Sequence, residues 1–168
     1  MTTTPAPHAT ARLSNVKATL FVHLKTLAVT GSPQWLFEGM QRARSDKSRA
    51  WLRVHVTDVT ETLAGHFSAT FRASRADILV AVDVFYPDGG EAGTHDIYQL
   101  DRMAEDVADI FRRTSLSINS YTDPDSPVAI SGAALRFGLP DTRSLPTADG
   151  YARRQVVTAG HWFLRDAA

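Results

Sequence analysis

The sequence predicts an α+β domain: a mixed, mostly antiparallel sheet of four to five strands packed against two α-helices. Three observations carry this. Residues 78–86 are rich in Ile, Val, Phe and Tyr, residue types that suit a pleated, half-buried surface. Ile97, Leu100, Ala104, Val107 and Phe111 recur at spacings of three and four, which is one face of a helix. The remaining strand-like runs follow one another without helical pattern between them, so they are expected to pair antiparallel.

The elements follow in chain order. Residues 1–12 are rich in Thr, Pro and Ala and read as a flexible arm, which leaves 13–168 as a single domain. A first helix is expected over 14–28, with Ser14 as N-cap and Val16, Leu20, Leu24 and Leu27 on one face. Gly31-Ser32-Pro33 ends it. Trp35-Leu36-Phe37 is a short strand or a packed turn, and the polar, basic 41–50 stretch reads as a loop. From Trp51 to Thr57 the chain alternates, with Leu52, Val54 and Val56 on one face and Trp51, Arg53, His55 and Thr57 on the other.

A connection over 58–75 leads to the strand at 78–86, and its Leu63, Phe67 and Phe71 leave room for part of it to extend the strand beyond the sheet. One face of that strand carries Ile78, Val80, Val82, Val84 and Tyr86; the other carries Leu79, Ala81, Asp83 and Phe85. Only Asp83 is charged, so the strand is expected to be central. Pro87-Asp88-Gly89-Gly90 stops it. Thr94 or Asp96 can cap the second helix, and Arg112 and Arg113 lie at its C-terminal end, where the helix dipole favours cations. Val82, Val84, Val107 and Phe111 are expected in the core. Residues 119–132 read as a loop, Leu135, Phe137 and Leu139 as a strand, PDTRSLPTADG as a turn-rich link, and Tyr151–Leu164 as a long final strand.

Composition narrows the function classes. The 168 residues amount to about one domain. Lys plus Arg and Asp plus Glu number 18 each, so the formal net charge is zero; a dedicated nucleic-acid binder would show a basic excess. There is no cysteine, which removes disulfides, thiolate chemistry and any Cys-based zinc site. MTTTPAPHATAR lacks the basic and apolar regions of a secretory leader, and no apolar run approaches the length of a membrane span.

No motif in the chain carries catalytic chemistry. No pair of the six histidines has the i, i+4 spacing of a helical metal site. His55 and His161 both fall on expected strands and could meet across the sheet near Asp83. A buried Asp83 must be paired or protonated, and Arg53 or Arg154 is its expected partner. Gly89-Gly90 fits neither phosphate-binding glycine pattern, and there is no nucleophile elbow. Asp101, Glu105, Asp106 and Asp109 form an acidic stripe on the second helix, and Arg42, Arg44, Lys47, Arg49 and Arg53 form a basic segment. A stripe of this kind is a solvated face or a docking surface. Opposite patches on a neutral chain are what a head-to-tail ring requires. The candidate contact residues are therefore Arg42, Arg44, Arg49, Arg53, Asp101, Glu105 and Asp109, with Trp35 and Trp51 as apolar anchors.

The segments WLFEGM, AWLRVHV, ADILVAVDVFYP with the helix after it, and GYARRQVVTAGHWF together resemble the tail terminator proteins of long-tailed bacteriophages of the lambda type. The resemblance spans residues 13–165, with a longer N-terminal arm and a longer 57–76 connection in this chain. It implies a non-enzymatic virion protein without cofactor or metal. Such a protein forms a homohexameric ring on the head-proximal end of the tail tube, stops polymerisation of the tail tube protein, and offers a surface to the head-completion or connector protein. It implies assembly in the host cytoplasm, no membrane partner and no sequence-specific nucleic acid, with DNA passing only through the ring lumen. Two other readings stand beside it. One is a head-closure or neck ring subunit. The other, of a different class, is a small enzyme or ligand-binding domain using His55, Asp83 and His161.

Overall fold

A computed structural model describes residues 11–37, 40, 49–68, 71–87, 94–112 and 114–167. In chain order these form α1 (Leu13–Lys25), β1 (Gln34–Leu36), β2 (Trp51–Ser68), β3 (Phe71–Pro87), α2 (Thr94–Arg112), β4 (Ser115–Ser120), β5 (Val128–Phe137), β6 (Asp141–Ala148) and β7 (Tyr151–Ala167). The seven strands make one sheet, ordered β1-β2-β3-β7-β5-β4, with β6 also paired to β7. Only β1 and β2 run parallel; every other pair is antiparallel.

This corrects the expected fold class. The sheet has seven strands rather than four to five and curls into a half-barrel, so the fold is mostly β. The connection expected over 58–75 is itself strand: β2 and β3 continue as one long hairpin, paired from Trp51↔Phe85 to Ser68↔Phe71. Leu63, Phe67 and Phe71 pointed to a partial extension, but the stretch lacks a clean apolar alternation, which hid its full length. The turn-rich link is β6, whose Pro146 falls in the register irregularity between Leu145 and Ala148, a position where a strand tolerates proline. Ser115–Ser120 was likewise disguised by its serines, yet Leu116 and Ile118 are buried at period two. Leu139, expected in a strand, lies past the end of β5 and is 85 % exposed.

Alternation divides the sheet into two faces. Cross-strand partners share a face, so the register places Leu52, Val84 and Arg154 together, then Val54, Val82 and Val156, then Val56, Val80 and Thr158. The valines and Leu52 in these rows are buried, and with Val16, Leu20 and Leu24 of α1 and Leu100, Met103, Val107 and Phe111 of α2 they form the main core. Both helices therefore cover this inner face. Ile97, expected on the core face of α2, is 45 % exposed at its margin. The helix α1 begins at Leu13 after Arg12, with no side-chain cap, so Ser14 lies inside the first turn rather than capping it. Most of the expected arm, residues 1–10, lies outside the described residues, but Ala11 is buried and its carbonyl accepts a hydrogen bond from Trp162 Nε1 at 2.7 Å.

Candidate interaction surface

The second face of the sheet carries no helix among the described residues, and its side chains form rows that the register fixes. Trp51, Phe85 and Arg153 make the first row, continued by Leu145 on β6. Arg53, Asp83, Gln155 and Arg143 make the second, and His55, Ala81, Val157 and Asp141 the third.

The first row is built by aromatic stacking. Trp51 and Phe85 lie parallel with centroids 3.6 Å apart, and Tyr151 meets both edge-on. With Leu36 they form a small second core. Two arginines close over it. The Arg53 guanidinium lies 5.0 Å from the Trp51 ring centroid and that of Arg153 lies 4.9 Å from Phe85. Arginine suits this place because a planar guanidinium stacks on a ring while its edge stays available to acceptors. Arg153 Nε is buried and has no hydrogen-bond acceptor among the described residues.

In the second row, Asp83 is 7 % exposed. Its expected partners are corrected. Gln155 Nε2 donates to Asp83 Oδ1 at 2.8 Å, and His55 Nε2 stands 3.5 Å from Oδ2. Arg53 is the cross-strand neighbour of Asp83 but stacks on Trp51 instead. Arg154 projects from the inner face and binds Asp101 of α2 at 2.8 Å. The meeting of His55 and His161 that the sequence allowed does not occur. His55 is opposite Ala81, itself opposite Val157, four residues from His161, an offset of about 13 Å along the strands at ~3.3 Å per residue, and Asp83, opposite Gln155, is offset from His161 by about 20 Å on the same measure. Among the described residues no group of three or more His, Asp or Glu side chains is placed to hold a metal ion.

The other candidate contacts are dispersed. Arg42 and Arg44 lie outside the described residues. Arg49 donates to the Ser32 carbonyl at 3.4 Å. Trp35 belongs to the helix side, stacked on Phe37, which in turn meets Phe21 of α1, so the two candidate tryptophans do not share a surface. Glu105 and Asp109 share the outer face of α2, and Asp101 lies at its flank, turned toward the inner face of the sheet. Each already has an arginine: Arg102, Arg112 and Arg154 respectively. The Glu105 and Asp109 pairs are substantially exposed and hold the carboxylates weakly, whereas the Asp101–Arg154 pair is part-buried. Asp106 is different, since it accepts bonds from Thr30 N at 2.8 Å and Thr30 Oγ1 at 2.6 Å and ties α2 to the turn after α1.

Sequence reasoning missed Arg143 and Arg153. Arg153 was legible, because the alternation of β7 puts it on the same face as Tyr151. Arg143 was hidden with the strand that carries it.

No family model and no curated protein matches the sequence. Twelve solved chains match the structure. One of them, whose name is a bare sequence label, superposes over 91 % of this chain and 95 % of its own length, with 16 % identity and a TM-score of 0.54. At that identity the likeness establishes a shared fold and nothing about activity.

Proposed function

We propose that this protein is a structural subunit, a tail terminator that forms a ring on the end of a bacteriophage tail tube, stops tube growth and provides the surface for head joining. The observation that carries the proposal is where the resembling segments fall. WLFEGM, AWLRVHV, ADILVAVDVFYP and GYARRQVVTAGHWF supply β1, the start of β2, the second half of β3 and most of β7, which are successive neighbours in the sheet. The segments that carry the resemblance are thus contiguous in this chain's sheet, which supports the reading. A platform with helices on one face and charged and aromatic rows on the other offers two unlike surfaces, as a heterologous ring contact requires. The rival reading as an enzyme using His55, Asp83 and His161 loses support because those three residues do not converge.

The test is removal of the gene from a phage that encodes it. The expected result is heads without joined tails and tubes of uncontrolled length by electron microscopy, restored by supplying the protein. Tails of normal length joined to heads in its absence would refute the capping role. Lone tails of correct length would instead favour the neck-subunit reading.

A further inference from the structure

We infer that the open face of the sheet in one copy receives the outer face of α2 from a second copy of this chain. This rests on the ring reading above and names its interface. The two surfaces point away from each other within one chain, because α2 packs on the inner face and the rows containing Arg53, Arg143 and Arg153 lie on the other. Such an arrangement joins copies head to tail.

Spacing fits, and charge fits in part: Arg53, Arg143 and Arg153 outnumber Asp83 and Asp141 in these rows, although Arg143 already donates to Asp141 at 2.7 Å. Tyr98, Asp101, Glu105 and Asp109 follow one another at helical spacing, and Tyr98 is 57 % exposed. From Asp101 to Asp109 the helix rises about 12 Å at ~1.5 Å per residue. On the receiving face, Arg53 and Arg143 are three strand steps apart through Asp83 and Gln155, about 14 Å at ~4.8 Å per strand. A helix laid across the strands thus sets its first carboxylate near one arginine and its last near the other. Arg153 lies beside this line, held on Phe85 with its Nε buried. Arginine forks bind carboxylates in two-point geometry, and stacking on Trp51 and Phe85 has already fixed two of the three side chains. Glu105 and Asp109 exchange weak intramolecular pairs for pairs in a desolvated contact, Asp101 keeps Arg154 beside it, and Tyr98 brings an amphipathic ring of the kind that anchors interfaces.

The chain has no cysteine, so a designed pair reports unambiguously. Arg143→Cys and Glu105→Cys are placed together in one chain, both at positions more than half exposed. Under mild oxidation, head-to-tail docking yields a ladder of covalent multimers beyond the dimer. The control pair Arg143→Cys with Val22→Cys, on the exposed side of α1, yields none. In parallel, Arg53→Glu with Arg143→Glu should weaken association about tenfold or more, with circular dichroism and the unfolding midpoint showing that the fold is kept. Adding Glu105→Arg and Asp109→Arg to that chain, which leaves Asp101 with Arg154, should recover part of it. If wild type assembles on tubes but the ladder is absent and the arginine variants assemble normally, the interface lies elsewhere and the ring stands. Wild type that is monomeric at high concentration and fails to join purified tubes would sink the ring itself. Tight binding of duplex DNA that is lost in the arginine variants, with assembly unchanged, would assign the face to a polyanion and overturn docking of α2.

Discussion

Gly160 is where a single residue decides whether three elements can meet. It pairs with Ile78 on β3 and Phe137 on β5. A Cβ there would stand 3.1 Å from Ile78 Cγ1, 3.2 Å from Leu135 Cδ1 and 3.3 Å from Phe137 Cδ1. An alanine needs small retreats by three neighbours; a valine needs more than they can give together. Gly160→Val should therefore destabilise by about 1–3 kcal/mol, the range for overpacking a tight core, read as a lower denaturant midpoint. An unchanged midpoint would show that the three side chains have room to withdraw. Nothing in the sequence flagged this position, because the constraint comes from residues far away in the chain. Asp83 is the opposite case. A lone charge on an apolar strand announced an unusual site, and it is buried with hydrogen-bonding company. Its partners were mistaken because charge alone suggested arginine, whereas the face and the stacking of each arginine decide which donor is within reach.

Among the elements, α2 was the most legible, because its apolar period had only one way to pack. Phe111 at its end is fully buried, with the Phe137 ring edge-on at 5.0 Å. Phe111→Ala should cost about 3–5 kcal/mol, combining lost transfer energy with the cavity left behind. A change below about 1 kcal/mol, far under the usual cost of deleting a buried ring, would mean that the helix repacks or does not dock there. The strands around it were legible in proportion to their burial. Val82 and Val84 sit in a strand flanked on both sides, and their β-branched run read clearly. The whole of β6 lies at an edge, paired only to β7 among the described strands, and most of its side chains are exposed. There solvent accepts Ser, Thr, Asp and Pro, and the pattern that distinguishes strand from turn disappears. The sheet was undercounted for that reason: a strand stabilised by backbone pairing to β7 need not advertise itself through side chains.

At the scale of the whole molecule, the balance of charge matters more than any one pair. With 18 basic and 18 acidic side chains, two copies approach without net repulsion, so the arrangement of patches decides whether they meet productively. The arginine rows and the acidic helix are separated by the thickness of the protein, and each is partly neutralised by its own neighbours. Their mutual attraction is therefore short-ranged, and salt screens exposed charges over about 10 Å at 0.1 M ionic strength. If these surfaces guide assembly, raising the salt should slow association more than it speeds dissociation, because rim charges act mainly on encounter. Light scattering after dilution into low and high salt would separate the two rates. Association that strengthens steadily with salt would point instead to an interface driven by apolar burial, with exposed groups such as Phe163 and Tyr98 as its anchors. The arginines over Trp51 and Phe85 would then serve the stability of the monomer alone, and Arg53→Glu would shift the unfolding midpoint without changing the rate at which copies combine.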